Sequence, residues 1–159
     1  MEIKAYDPFK LTKLRKLKIL SNLNYLLKNS DVVTVCVHLN NKTKKMCNKL
    51  FFNKMKKGSI FINTSRGEVI DEISLIKALK SKKIKSAAVD VIQGEQNEDI
   101  SNNKLILYSK ENDNLIITPH MAGLTYESEK LAAKIILTKV DKFFALKNNL
   151  KKKFNFNEN

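Results

Sequence analysis

The sequence predicts an α/β fold in which a parallel sheet carries helices on both faces. Apolar runs of strand length at residues 3–6, 32–37, 59–62, 87–91 and 115–118 alternate with stretches of helical periodicity. The run Val32-Val33-Thr34-Val35-Cys36-Val37 is β-branched nearly throughout, as strands buried on both faces are. Polar residues gather just beyond the carboxyl ends of these strands, where open α/β sheets place their ligands.

In chain order, residues 3–6 read as a short strand stopped by Asp7-Pro8, because proline keeps the residue before it extended and has no N–H to carry the ladder on. A carboxylate directly after a strand can hold ribose hydroxyls, and an Asp-Pro turn is the plainer reading. Residues 9–20 form a basic, loosely amphipathic segment, and 23–27 a short helix ending near Asn29-Ser30. Asp31 then opens the second strand, with Cys36 inside it as a small hydrophobe. Residues 49–56 place Leu50, Phe51 and Met55 at helical spacing before Gly58 breaks the pattern.

The stretch that organises the rest is the apolar run 59–62 with Asn63-Thr64-Ser65-Arg66-Gly67 at its carboxyl end. Only Arg15 and Arg66 are arginines among 30 basic residues. An Arg at a strand end suits a planar, bidentate partner such as a carboxylate, and a surface Arg beside a turn Gly is the alternative. Asp71 and Glu72 precede an amphipathic helix whose lysines lie at its far end, as the helix dipole prefers. A strand at 87–91 follows, its apolar run broken by Asp90. Residues 94–114 read as a long polar loop interrupted at 105–108, either functional or mobile. The fifth strand ends at Pro119-His120, a final helix covers about 124–146, and 148–159 read as a disordered basic tail.

A chain of 159 residues, 43% apolar, supports one core. The net charge of +14 favours polyanions at low salt. Yet the lysines are scattered, 18 Asn accompany them, and no nucleic-acid-binding pattern is present, so no specific nucleic-acid partner is expected. Cys36 and Cys47 have neither metal nor disulfide-framework spacing, so no metal is expected and a reducing cytoplasmic setting fits. The start does not read as a signal peptide, and no apolar run approaches the ~20 residues that span a bilayer.

Arg66, Glu95 and His120 stand at or just past strand ends. Together they suit a carbonyl acid: Arg to hold a carboxylate, His to move a proton, Glu to orient the His. Singly each is an ordinary surface residue.

The stretches Asn63-Thr64-Ser65-Arg66-Gly67-Glu68-Val69-Ile70-Asp71-Glu72 and Ala87-Ala88-Val89-Asp90-Val91, then Glu95, and Thr118-Pro119-His120-Met121-Ala122-Gly123-Leu124-Thr125-Tyr126-Glu127, resemble the D-isomer-specific 2-hydroxyacid dehydrogenases. Phosphoglycerate, lactate and glyoxylate/hydroxypyruvate enzymes belong to that family. The resemblance runs over about 3–146 and implies a Rossmann-like, NAD-binding domain over 1–147. It implies that Arg66 binds the substrate carboxylate, His120 is the general acid/base and Glu95 its partner. It further implies that Asp7 takes the adenosine ribose and so selects NAD, that Asp90 binds the nicotinamide carboxamide, and that backbone near Thr64 and Gly123 lines the nicotinamide pocket.

The departures carry equal weight. The four glycines, at 58, 67, 94 and 123, include no Gly-x-Gly-x-x-Gly, so the first strand and the glycine-rich turn that seats pyrophosphate are lacking. Gln96 and His38 stand where proline is usual. In the strand order 3-2-1-4-5-6 a gap is expected between the strand at 3–6 and that at 59–62. The chain is therefore expected to be the carboxyl-terminal part of an oxidoreductase interconverting a D-2-hydroxy acid and a 2-keto acid, inactive alone. Its expected partners are the small-molecule acid and either a second copy or a complementing N-terminal half. A non-catalytic module of the same family, or a weak polyanion binder, is the alternative.

Overall fold

The computed structural model describes residues 1–9, 18–97 and 99–154, with the side chains of 18 and 147–154 excepted. It divides into two compact units, Met1–His120 and Met121–Asn159.

The first unit holds two parallel sheets. In one, β1 (Lys4–Tyr6) pairs with β2 (Lys18–Leu20). In the other, β3 (Val32–Val35), β4 (Ser59–Asn63), β5 (Ile84–Val89) and β6 (Leu115–Ile117) pair in that order, every ladder parallel. The helices are α1 (Leu23–Asn29), α2 (Lys49–Lys54), α3 (Glu72–Lys80) and α4 (Lys104–Glu111). Three of them are capped by asparagine: Asn22, Asn48 and Asn103 each accept backbone N–H groups that the first helical turn leaves unbonded. Part of the asparagine excess thus has a structural use.

One face of the large sheet is the core. Val33, Val35, Phe61, Ala87, Val89 and Leu115 project from it onto Leu27, Phe51, Phe52, Leu75, Leu79 and Leu105 of α1–α4. Phe51, Phe52 and Phe61 meet edge to face, with centroids 5.1–6.2 Å apart; burial of each such ring stabilises by about 1.5–3 kcal/mol. The alternate residues form the opposite face. Val32 is 46% and Ile116 62% exposed there, while Ile60, Ile62 and Ala88 are half-buried.

Several expectations are corrected. The strand at 32–35 alternates exposed and buried residues, because α1–α4 all join the core on one side of the sheet. Cys36 is exposed, one residue past the strand. Phe52 rather than Leu50 is the residue that α2 buries beside Phe51: the helix begins at Lys49 and its turn carries Leu50 outward. The loop read at 94–114 contains α4, whose start is fixed by the Asn103 cap and whose Leu105 and Tyr108 reach the core. β5 starts at Ile84 and ends at Val89, earlier at both ends than expected.

The break in the sheet also lies elsewhere. β3 pairs directly with β4, and β1 has taken Lys18–Leu20 as its neighbour, so the interruption separates the β1–β2 ladder from a sheet that begins at β3 rather than at β4. A three-residue strand within a basic segment carries too little apolar pattern to be read from sequence. Residues 10–17, the rest of that segment, lie outside the described residues.

The second unit is chiefly α5 (Tyr126–Phe154), whose backbone continues past residue 146. Its described apolar side chains, including Leu131, Ile136 and Phe143, are exposed. Residues 155–159 lie outside the described residues. No helix of the described residues is long and apolar enough to cross a membrane.

Candidate functional site

The site is assembled at the carboxyl ends of β4, β5 and β6. Asn63, the last residue of β4, is fully buried. Its Oδ1 accepts from the Ser65 N–H at 3.0 Å and from the Ser65 hydroxyl at 2.6 Å, and its Nδ2 donates to the Arg66 carbonyl at 3.0 Å. A single amide therefore folds the Asn63-Thr64-Ser65-Arg66 turn and satisfies the polar groups buried there.

Gly67 then passes against the segment that follows β5. A Cβ added at Gly67 would stand 2.1 Å from the backbone C and O of Ile92, with the Gln93 nitrogen at 2.6 Å. Only glycine permits that approach. Its backbone is not in the left-handed region, so contact rather than φ demands the glycine.

The segment is pinned from its other side as well. Glu72, at the start of α3, accepts from the Gln93 N–H at 2.8 Å and from Asn103 Nδ2 at 3.2 Å, and Gln93 Nε2 donates to the Ile70 carbonyl. These bonds hold residues 92–95 close to the turn that carries Arg66.

Glu95 and His120 meet there. His120 Nδ1 lies 2.7 Å from Glu95 Oε1, and Glu95 Oε2 accepts from the Ile92 N–H at 3.3 Å. With Nδ1 donating to the carboxylate, Nε2 is the nitrogen left to face a substrate. The His120 side chain is 46% exposed and that of Glu95 20%, so the pair is reachable while its carboxylate is mostly shielded. His120 sits at φ 52°, in the left-handed region, and its N–H donates to the Asp90 carbonyl at 2.9 Å. Non-glycine residues hold that conformation where surrounding bonds impose it, commonly at functional positions.

Asp90 itself is buried, and its Oδ1 accepts the Thr118 hydroxyl. Asp90, Glu95, Thr118 and His120 line one cavity of about 420 Å³, whose apolar wall includes Ile92 and Ile117. Glu95, Asp90 and His120 are thereby brought together from positions up to 30 residues apart. Arg66 and Thr64 are exposed at the end of β4, and the Arg66 guanidinium donates to the Ser65 carbonyl at 2.6 Å. Arg66 is outside the cavity lining. Asp7 lies just past β1, where its Oδ1 accepts from the Phe9 N–H at 2.9 Å in an Asx turn. Gly123 belongs to the second unit, where its carbonyl accepts the Ser128 hydroxyl.

Sequence reasoning gave no part in the site to Asn63, Glu72, Gln93 or Thr118; Asn63 bonds within its own turn, while the other three find partners 21 to 31 residues away. For Gly67 a signal existed: it is one of only four glycines and follows one of only two arginines. Among the described residues no group of His, Cys, Asp and Glu could hold a metal ion.

Residues 1–122 match the family model described as D-isomer specific 2-hydroxyacid dehydrogenase, NAD binding domain. The chain belongs to that family. It is 34% identical over 145 residues to D-3-phosphoglycerate dehydrogenase of Methanocaldococcus jannaschii, covering 89% of this chain and 26% of the relative. It is 35% identical over 145 residues to glycerate dehydrogenase of Methylorubrum extorquens, covering 91% and 43%. Among solved structures, D-lactate dehydrogenase of Aquifex aeolicus complexed with NAD and lactic acid superposes with a TM-score of 0.70 at 28% identity, covering 95% of this chain and 48% of that one. The chain thus spans between about a quarter and a half of the length of these dehydrogenases. The Rossmann-like fold and the NAD-binding-domain assignment stand on these matches together with the parallel sheet.

Proposed function

We propose that the chain is the nucleotide-binding part of an NAD-dependent oxidoreductase interconverting a D-2-hydroxy acid and its 2-keto acid. The observation that carries this reading is the His120–Glu95 pair, a ring nitrogen and a carboxylate oxygen 2.7 Å apart across 25 residues, at the mouth of a cavity. His120 Nε2 gives a proton to the C2 oxygen as the keto acid is reduced and takes it back in the reverse direction. Glu95 holds the ring with Nδ1 turned inward, so the reacting nitrogen is fixed before substrate arrives. Arg66 binds the substrate carboxylate through two parallel N–H···O bonds, which requires its guanidinium to leave the Ser65 carbonyl.

The residues present fit the two ends of NAD. Asp7, just past β1, offers a carboxylate for ribose hydroxyls, and a carboxylate there repels the extra phosphate of NADP. Asp90 would take the nicotinamide amide, a reading supported by its burial and its bond from the Thr118 hydroxyl. When bound, the nicotinamide supplies or accepts the hydride. None of the four glycines has the spacing that seats a pyrophosphate, which supports the expectation that the isolated chain turns over little or no keto acid. The two free thiols fit a reducing cytoplasm.

The test joins the chain behind the part of the M. jannaschii enzyme that precedes the matched stretch and measures NADH-dependent reduction of hydroxypyruvate, glyoxylate and pyruvate. His120→Ala is expected to lower kcat by about 10²–10⁴-fold. Arg66→Lys should mainly raise KM, because a point charge does not reproduce a bidentate contact. A fusion that binds NADH yet turns over equally with and without His120 refutes the assignment. One that binds NADH and never turns over refutes the catalytic reading in favour of a binding module.

A further inference from the structure

Three asparagines cap helices in the first unit, and one of them uses both halves of its amide. A cap needs only Oδ1: Asn22 and Asn48 accept helical N–H groups through it, and among the described residues their amide nitrogens have no acceptor. Asn103 caps α4 in the same way, accepting the Leu105 N–H at 2.8 Å and the Ile106 N–H at 3.3 Å. Its Nδ2 then donates, at 3.2 Å in each case, to both carboxylate oxygens of Glu72 and to the Gln93 carbonyl. Aspartate or serine would cap the helix as well, so capping leaves the choice of asparagine unexplained.

Glu72 is equally out of the ordinary for its place. It is the first residue of α3, where an acid can complement the helix dipole from solvent, yet it is only 8% exposed. Asn103 and the Gln93 N–H, the latter at 2.8 Å, hold it inward. That N–H belongs to the Ile92–Gln93 peptide. The Ile92 N–H in turn reaches Glu95 Oε2 at 3.3 Å, and Glu95 Oε1 meets His120 Nδ1 at 2.7 Å. A run of hydrogen bonds therefore leads from the start of α4 through Glu72 and the backbone at 92–93 to the imidazole. Asn103 and Glu72 border a separate cavity of about 310 Å³, which shares no lining residue with the one that His120 opens on, so neither reaches a substrate there.

We propose that Asn103 and Glu72 are positioning residues for the His120–Glu95 pair, a role that rests on the acid/base reading of that pair. With the Asn103 amide joined to the Glu72 carboxylate, the Ile92–Gln93 peptide is held in one orientation. The Ile92 N–H then fixes one Glu95 oxygen and leaves the other aimed at Nδ1. When the two part, residues 92–95 shift and the ring loses the partner that sets its tautomer.

Asn103→Asp tests this, because aspartate keeps the α4 cap while setting a carboxylate against that of Glu72. Adding Glu72→Gln gives the aspartate an amide nitrogen to meet, so the bond re-forms with donor and acceptor exchanged; the bond to the Gln93 carbonyl stays lost. The readout is the ¹⁵N spectrum of the ring in the full chain, titrated until the ring is neutral. His38 and His120 are the only histidines, so His120→Ala assigns the signals. The parent ring should carry its proton on Nδ1. Asn103→Asp should shift the ratio of Nδ1- to Nε2-protonated ring by at least about ten-fold, and the double variant should recover most of that shift. In the joined enzyme kcat should fall by at least about ten-fold in Asn103→Asp, with the KM for NADH within about two-fold of the parent, and rise again in the double variant. Buried Cys47, which labels with maleimide only if the fold opens, confirms that each variant is folded. Should Asn103→Asp expose it, Glu72→Ala, which leaves the cap untouched, takes its place with the same expected loss of Nδ1 protonation. An unchanged tautomer ratio in a folded variant overturns the proposal. So does an equal loss in the single and double variants, which would leave Asn103 a helix cap and nothing more. Indifference of the joined enzyme to His120→Ala is a different failure, that of the acid/base reading, and it leaves the ring spectra as they are.

Discussion

Gly67→Ala isolates the contact on which the site's assembly depends. The added methyl would stand 2.1 Å from the carbonyl carbon and oxygen of Ile92, and ordinary contact begins near 3.4 Å. The turn after β4 and the segment after β5 must therefore part by about 1.3 Å, with backbone on both sides and no flexible side chain to yield. Overpacking typically costs about 1–3 kcal/mol, and an obstacle made of backbone puts this substitution at about 3 kcal/mol. With a urea m-value of about 2 kcal/mol/M, the unfolding midpoint should fall by about 1.5 M. Gly58→Ala is the matched control, because Gly58 holds φ 77° with nothing within 4 Å of an added Cβ. Its effect is one of backbone conformation, about 1–2 kcal/mol. In the joined enzyme, a displacement of this size at residues 92–95 shifts Glu95 from His120 and should lower kcat by about 10²-fold. A Gly67→Ala midpoint within about 0.3 M of the parent would refute the reasoning, for it would show that the two segments are not held in contact.

Other outcomes follow from single observations. Burial pushes the Cys47 thiol up to about 12, so it should resist maleimide through pH 9 while exposed Cys36 reacts, as mass spectrometry of the labelled peptides will show. Asn63→Ala leaves the Ser65 N–H and the Arg66 carbonyl without their partner; a loss of about 1–3 kcal/mol is expected in urea unfolding, and a raised KM in the joined enzyme. The Lys56 ammonium, 2.6 Å from Asp31, holds that carboxyl below its usual range. The stability it contributes is present above the unfolded-state pKa and is lost as pH falls through the lower folded value. Lys56→Met should accordingly raise the Asp31 pKa in an NMR titration, and the two proteins should converge in stability at acid pH. DNA binding, if measured, should be sequence-independent and weaken steeply with salt, and tight selective binding near physiological salt would contradict the reading of the lysines.

Where side chains repeat with a clear period, the sequence located the element. The strands at 59–62 and 115–118 lie within a residue of the observed ones and the helix read after Asp71-Glu72 is α3, because apolar side chains must reach the core and set the period themselves. Lys18–Leu20 and α4 escaped for the opposite reason. The first is three residues in a basic run. The second is defined by its Asn103 cap and by two core residues, a pattern that reads equally as a loop with an apolar interruption.

Residue types alone placed Arg66, Glu95 and His120 in one chemical set, because one of only two arginines before a glycine, with a carboxylate and an imidazole past strand ends, suits a carbonyl acid. Tertiary structure decided which of them meet. Glu95 and His120 do, because Gly67 lets the β4 turn lie against Ile92 while Glu72 and Gln93 hold the loop from its other side. Contacts of that kind join residues 21 to 25 positions apart with a backbone carbonyl or amide on at least one side, and such groups are the same in every residue and leave no mark in the order of side chains. The position of the break in the sheet was hidden likewise: strand order depends on which backbone edges pair, and here β3 pairs with β4 while β1 pairs with a strand too short to read.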